Sequence, residues 1–179
     1  MKKTIVSVAL SLACLAGLQA GTVNFANVGV GVNSPVFNVD GTTALGGAGF
    51  QAQLWVIDGG SPTPAGDPTG FLAAGGFFNG GSIEVGFGAG PATLQVVAWD
   101  VASGATYADA TIRGESNQFT IDVLGGQGNP PSTPAALVGL ESFSLADIGG
   151  GDGTPVVPEP STVALGILGA AVFFLRRRK

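Results

Sequence analysis

The chain has no histidine and a single cysteine, Cys14, among its 179 residues. Ser-His-Asp and Cys-His catalytic arrangements are therefore impossible, as are metal sites ligated by histidine or by several cysteines. Positive charge is also scarce, because six of the seven Lys and Arg residues lie within the first three or the last four positions. Residues 21–157 contain one cation, Arg113, and no lysine, which excludes Schiff-base chemistry in that segment.

The same segment carries eleven of the twelve acidic residues, so its net charge is −10. Phosphate backbones would be repelled by it, and we predict no binding to nucleic acid. Its 28 glycines in 137 residues disfavour long helices, since each costs about 1 kcal/mol in a helix interior. Frequent Phe, Val, Ile and Trp argue equally against disorder. The segment is long enough for one domain with one core.

The N-terminal end has the organisation of a secretory signal peptide over residues 1–20, with Lys2-Lys3 before an apolar run. The small residue Ala20 favours cleavage between Ala20 and Gly21, although Leu18 at the −3 position is imperfect. Cleavage at that bond would leave a mature chain without cysteine, and hence without disulfides.

Cys14 permits a second interpretation, in which the N-terminus is a lipoprotein signal. Ser11 stands three residues before Cys14, at a position where an aliphatic residue is needed. The residues after Cys14 are also still apolar. These features favour ordinary signal cleavage over lipidation.

The C-terminal end, residues 157–179, consists of an extended Pro-Glu-Pro element, an uncharged stretch and a basic cluster. Residues 161–175 carry no charge and are predicted to form a transmembrane helix. At about 1.5 Å per residue they span roughly 22 Å, which is short of the roughly 30 Å hydrocarbon core. Snorkelling arginines and local thinning would close that gap. This marginal length suits a temporary anchor, with an ordinary permanent anchor as the alternative.

A Pro-Glu-Pro element, a short apolar helix and a terminal arginine cluster, in this order, resemble the PEP-CTERM sorting signal of Gram-negative bacteria that make exopolysaccharide. The resemblance implies that an exosortase in the inner membrane reads the tail and cuts near the tripeptide. It assigns recognition to Pro158, Glu159 and Pro160, and a basic stop to Arg176, Arg177, Arg178 and Lys179. These residues belong to a substrate and are not catalytic.

Both ends carry positive charge, which favours the cytoplasmic side of the membrane. The segment between them is therefore predicted to lie on the outer side of the membrane. We predict an extracellular domain over residues 21–148 and a Gly-rich linker over residues 149–156. Residues 98–107 and 137–145 are similar to sequence segments of uncharacterised bacterial PEP-CTERM surface proteins, which indicates a family but no activity.

A period of two predicts antiparallel strands in residues 82–87, with Ile83, Val85 and Phe87 on one face, and in residues 118–123. Val23 and Phe25 start an earlier strand. Residues 53–58 and 95–100 are apolar on both faces, which is typical of central strands. Predicted core residues include Phe119, Ile121, Val85 and Leu54, and a last strand is predicted near residues 137–145.

Turn signals separate these strands. Asp40-Gly41 and Asn79-Gly80 are candidates for two-residue hairpin turns, because both supply positions with positive φ. The proline-rich residues 61–68 and 125–134 are predicted to be long loops. Some seven or eight short strands predict an all-β chain with a single antiparallel β-sandwich or jelly-roll-like domain, between the signal helix and the transmembrane helix.

Carboxylate chemistry is the remaining catalytic possibility. A glycosidase pair could in principle come from Asp58, Asp100 and Asp122. We expect these acids instead to lie at strand ends or on solvent-exposed faces. Asp147 and Asp152 could bind Ca²⁺ weakly, yet no EF-hand spacing is present. We therefore predict no enzyme, no cofactor and no dedicated metal site.

The sequence thus predicts an exported cell-surface or extracellular-matrix protein with a structural role. Its predicted partners are an exosortase, of which it is the substrate, and the inner membrane before processing. The alternative is a carbohydrate-binding module of the exopolysaccharide matrix, in which Trp55, Trp99 or Tyr107 stacks on sugar rings. The two tryptophans are expected to belong to the core rather than to a sugar platform.

Overall fold

The structure, a computed structural model, describes residues 20–149 except Ala74, Phe87 and Ala89. The predicted signal peptide up to residue 19, residues 150–156 of the predicted linker and the whole predicted sorting tail lie outside the described residues. The chain divides into two units after Ile148, and every described strand belongs to the first unit. The described part of the chain contains no helix long and apolar enough to span a membrane, and the segment 161–175 lies outside it.

The regular secondary structure of the described residues consists of β-strands without any helix, as the glycine content and the period-two patterns predict. The strands are short and more numerous than the seven or eight predicted. In chain order they are β1 (Thr22–Ala26), β2 (Val28–Gly29), β3 (Val32–Asn33), β4 (Val36–Phe37), β5 (Phe50–Asp58), β6 (Ser61–Gly70), β7 (Asn79–Glu84), β8 (Ala92–Asp100), β9 (Ile112–Glu115), β10 (Phe119–Ile121), β11 (Ala135–Ala136), β12 (Phe143–Ser144) and β13 (Ala146–Asp147).

The largest sheet has six strands and is antiparallel throughout, with the order β13-β9-β8-β5-β6 and β10 also paired to β8. β9 and β10 share one edge of β8, where Ser116 separates them. The Ser116 hydroxyl accepts a hydrogen bond from Val96 N at 2.9 Å. β5 and β8 are central strands, which confirms the prediction made from their two-sided apolar pattern.

A second sheet has the order β11-β1-β7, in which β1 is parallel to β11 and antiparallel to β7. Two further pairs are β12 with β4 and β2 with β3. The six-stranded and three-stranded sheets share one apolar core, because alternate residues of their strands point into it. The buried members from the longer strands include Val23, Phe25, Ala52, Leu54, Val56, Ile83, Leu94, Val96, Phe119 and Ile121. The predicted core residues Leu54, Val85, Phe119 and Ile121 are all in this cluster.

A fully buried amide joins three chain segments beside this core. The Nδ2 of Asn27 donates to the carbonyls of Ser34 at 2.8 Å and Gly76 at 2.9 Å. Its Oδ1 accepts a hydrogen bond from Phe78 N at 2.8 Å. One polar side chain therefore satisfies three buried backbone groups, as buried polar groups require.

The predicted loop at residues 61–68 is wrong, because these residues form most of β6. Gly59 and Gly60, with φ of 55° and 85°, make the two-residue turn that joins β5 to β6. Two positive-φ glycines fit the type I′ turn that tight hairpins prefer. Pro62 and Pro64 lie opposite Ile57 and Trp55 at positions where the N–H would point away from β5. Proline is therefore compatible with this edge strand.

These prolines are expected to protect the edge of the six-stranded sheet. Replacing Pro62 and Pro64 together by threonine restores two outward N–H donors, and we expect association of copies that sedimentation velocity detects. Each replacement should also lower the free energy of unfolding by about 0.4–1 kcal/mol, since the unfolded chain gains freedom. Pro131→Thr, in a loop, is the matched control. A strictly monomeric double variant would contradict this role.

The two predicted two-residue hairpins are also wrong. The connection around Asp40 is longer, because Phe37 pairs with Ala44 and Asn38 N donates to Thr43 O at 2.8 Å. Hydrogen bonds from the Thr43 hydroxyl and backbone N–H, with another from the Thr42 N–H, lower the pKa of Asp40 to about 2.

Asn79, in the second predicted hairpin, begins β7 instead of a turn. Its Oδ1 accepts a hydrogen bond from Gly81 N at 3.1 Å, and Gly81 takes the positive φ of 75°. The positive-φ position is therefore inside the irregular start of a strand.

The end of the domain differs from the single last strand predicted for residues 137–145. The chain forms only β11, β12 and β13 there, each two residues long, in three different sheets. Phe119 and Ile121, in the strand predicted for residues 118–123, share one buried face, which confirms that prediction for these two residues. Val123 lies beyond β10 and is 72% exposed. Residues 125–134 carry no strand apart from an isolated bridge at Gly125, so this predicted loop is confirmed.

Candidate functional site

Two of the three acidic residues predicted as a possible catalytic pair, Asp58 and Asp100, are far apart. Asp58 and Asp100 lie at opposite ends of β5, because Asp100 pairs with Phe50 at its first residue. Eight steps of about 3.3 Å separate these ends by roughly 26 Å. Paired glycosidase carboxylates lie within roughly 10 Å, so these two cannot act together.

The remaining predicted acids, Asp122 and the candidate calcium ligands, lie in other parts of the chain. Asp122 follows β10, at the end of the sheet where Asp58 lies, with β8 between them. Asp147 lies in β13, and Asp152 is outside the described residues. Within residues 20–149, apart from the three omitted positions, no three His, Cys, Asp or Glu residues are grouped to hold a metal ion.

An aromatic cluster lies on the outer face of the six-stranded sheet, opposite the main core. Trp99 of β8 is 1% exposed and packs with Val97 and Ala110. Trp55 and Tyr107 are half-buried against it. The Tyr107 ring meets Trp55 edge to face at 5.2 Å and Trp99 at 6.3 Å between ring centroids.

Arg113 fixes the loop that covers this cluster. Its Nη1 donates to the carbonyls of Tyr107 at 2.6 Å and Ala108 at 2.9 Å, and its guanidinium lies 4.9 Å from the centroid of the Tyr107 ring. Burial raises the pKa of the Tyr107 hydroxyl, as does the negative charge of Glu115, while Arg113 opposes them. Composition identifies Arg113 as a lone cation, but nothing in the sequence indicates that its partners are the carbonyls five and six residues before it.

The three aromatic residues differ in what they can offer a ligand. Trp99 is buried, as expected of a core residue, although in a cluster separate from the main core. Its indole N–H is buried and has no hydrogen-bond partner among the described residues. Trp55 keeps part of its surface exposed, and its indole N–H lies 3.4 Å from Gln53 Oε1. Only Trp55 and Tyr107 could therefore stack on a sugar.

The predicted signal-cleavage site is integrated into the second sheet. The carbonyl of Ala20 accepts a hydrogen bond from Gln127 Nε2 at 3.0 Å. The carbonyl of the buried Gly21 accepts one from Val85 N at 2.8 Å. A Cβ atom on Gly21 would lie 2.2 Å from the Gly88 carbonyl oxygen, so this position requires glycine.

The comparisons with known proteins find one family signal. Residues 156–179 match the PEP-CTERM protein-sorting motif. This confirms the predicted sorting signal and implies exosortase-dependent sorting of an exported, membrane-anchored precursor to the cell surface. No curated protein and no solved structure matches the chain. The separate roles of Pro158, Glu159, Pro160 and the basic cluster stay predictions, as does cleavage after Ala20.

Proposed function

We propose that the chain is an exosortase substrate whose β domain serves as a non-enzymatic structural component of the cell surface or extracellular matrix. The sorting motif at residues 156–179 carries this proposal. In it, the inner membrane holds the precursor through the tail until the exosortase cuts near Pro158-Glu159-Pro160. The domain then remains at the surface or in the exopolysaccharide matrix.

The residues of the β domain support a structural role. Residues 21–157 lack His, Cys and Lys, and two of the acids that could replace them, Asp58 and Asp100, lie at opposite ends of β5. The six-stranded and three-stranded sheets share one core, which supports a β-sandwich arrangement. Prolines on the exposed edge of β6 would keep crowded neighbouring copies from pairing through that edge.

The sorting tail is tested by replacing Pro158, Glu159 and Pro160 with alanine in the native host. We expect the wild-type protein to reach the surface or medium without residues 176–179. The variant should keep them and remain in the inner-membrane fraction. Intact mass and fractionation measure both properties, and replacing the linker residue Thr154 by alanine is the control. A wild-type mass that still includes Lys179, as the variant's mass does, would favour a simple anchor instead.

Carbohydrate binding by the β domain is the second candidate, and the half-buried pair Trp55 and Tyr107 favours it. Aromatic rings at a surface bind sugars because their apolar faces match the C–H face of the ring. The side-chain amide of Gln53, which also donates to Gly66 O at 3.1 Å, stands beside Trp55 and could meet sugar hydroxyls. Saturable binding to host exopolysaccharide that Trp55→Ala removes would establish this function. Absence of binding in all matrix fractions would leave the structural role.

A further inference from the structure

A groove of about 470 Å³ opens beside the first described residues, between β1, β7 and the loop of residues 126–134. Its walls are formed by Ala20, Thr22, Ser82, Glu84, Gly126, Pro131, Ser132 and Pro134. Thr22 of β1 and Glu84 of β7 are direct cross-strand partners, so their side chains share one face of the sheet. Glu84 is the only ionisable side chain among these lining residues.

The groove contains one buried hydroxyl and one exposed carboxylate, and neither has a partner among the described residues. The Thr22 hydroxyl is buried and has no hydrogen-bond partner among them. A Cβ atom on Gly126 would approach that hydroxyl to 2.7 Å and the carbonyl oxygen of Ala20 to 3.3 Å, which places all three together. A buried hydroxyl without a partner is uncommon in native structures and points to a missing group.

The carboxylate of Glu84 also lacks a cation in the described part of the chain. Arg113 is the one Lys or Arg residue there, and its guanidinium is bound to the carbonyls of Tyr107 and Ala108 on the six-stranded sheet. A cation that pairs with Glu84 would therefore have to come from outside these residues.

Signal cleavage after Ala20 would create such a cation at this place. It removes Ala20, a lining residue, and turns the nitrogen of Gly21 into an α-ammonium group. Gly21 is held in position by the hydrogen bond from Val85 N to its carbonyl and by its close fit against Gly88 and Leu124. The new terminus would therefore be fixed next to Thr22 instead of fraying.

We propose that this groove is the binding site of the mature N-terminus, in which the Gly21 ammonium pairs with the Glu84 carboxylate and donates to the Thr22 hydroxyl. The proposal rests on the signal cleavage that the proposed function includes. Signal cleavage during export would thus replace the bond to the signal peptide with an ion pair and a hydrogen bond that hold β1, the central strand of the three-stranded sheet.

The sign of the pH dependence is set by the charges in the groove. An α-amino group has a pKa of about 7.7–8.0 in an unfolded chain, and a nearby carboxylate raises the pKa in the folded protein. The ion pair therefore contributes fully below that range and is lost as the pH rises through the folded pKa. From β1, β7 and the 126–134 loop, Glu84 is the only lining side chain that titrates.

The experiment measures how fast an amine reagent labels the N-terminus of the exported, processed protein at pH values near 8. Because residues 21–157 contain no lysine, peptide mapping can assign the label to Gly21 without ambiguity. We expect labelling about two-fold slower in the wild type than in Glu84→Gln, as a shift of about half a pKa unit would produce at a pH close to the pKa itself. Thr22→Val should label faster as well, and Glu141→Gln, an exposed acid that does not line the groove, should match the wild type.

The outcomes separate this proposal from the proposed function. Equal labelling of the wild type and Glu84→Gln, on chains that start at Gly21, would overturn the groove as a binding site and leave export intact. A mature chain that starts at another residue would overturn the groove and the cleavage position together. An exported chain that keeps residues 1–20 would contradict signal processing itself.

Discussion

Replacement of Asn27 by alanine is expected to lower the free energy of unfolding by about 3 kcal/mol or more, because each buried polar group left unpaired costs roughly 1–3 kcal/mol. The change removes two donors and one acceptor at once, from the carbonyls of Ser34 and Gly76 and from Phe78 N. For a domain of this size the loss corresponds to a fall of roughly 10 °C in Tm. Thermal unfolding followed by far-UV circular dichroism measures it.

Two further variants make the Asn27 result specific. Asn27→Asp keeps an acceptor for Phe78 N but places a buried negative charge against two carbonyl oxygens, so it should be at least as damaging. Asn33→Ala, an exposed position in β3 of the same hairpin, should change stability by no more than about 0.5 kcal/mol. Similar losses in Asn27→Ala and Asn33→Ala would show that the amide does not join the three segments.

The contrast between Asn27 and the core strands shows what the sequence can and cannot predict. Alternation of apolar residues is a local signal that is enough to place Ile83 and Val85 inward, and continuous apolar runs are local signals that are enough to find β5 and β8. The partners of Asn27 are separated from it by up to 51 residues, at Phe78. Nothing in the neighbourhood of an asparagine indicates contacts at such distances, so its structural importance is visible only in the fold.

β6 shows a different reason for error. Pro62 and Pro64 argue against a central strand, and that reasoning leads to a predicted loop at residues 61–68. The prolines are compatible with β6 because this strand is at an edge, where one row of N–H groups needs no partner. Gly59-Gly60 is the local signal for a hairpin, and proline is consistent with its second strand once edge position is considered.

The candidate sites also differ in whether a local sequence signal reveals them. The sorting motif is a continuous stretch, so it can be recognised residue by residue and is confirmed as a motif. The aromatic cluster depends on the register of β5 against β8 and on a loop fixed by Arg113, neither of which a sequence displays. Composition alone cannot show which tryptophan is exposed, because both lie on the outer face of the sheet and Trp99 is buried there with Ala110 of the covering loop.

The different burial of the two tryptophans predicts losses of stability of different size. Trp99→Ala removes a buried ring and should lower the free energy of unfolding by roughly 3–5 kcal/mol. Trp55→Ala removes a half-buried ring at the surface and should cost about 1–2 kcal/mol, leaving a folded protein. Chemical denaturation of the three proteins measures both differences.

Trp99→Phe distinguishes ring packing from the indole N–H. Because that N–H is buried without a partner in the described structure, phenylalanine loses volume but also removes an unsatisfied donor. We expect its cost to be about 1–2 kcal/mol, well below that of alanine. A loss in Trp99→Phe as large as in Trp99→Ala would mean that the N–H has a partner, such as a bound water, that contributes to stability.

Equal losses in Trp55→Ala and Trp99→Ala would contradict the division of the cluster into a buried ring and a surface ring. Because Trp55→Ala should stay folded, it is also the variant in which a loss of sugar binding can be attributed to the missing ring.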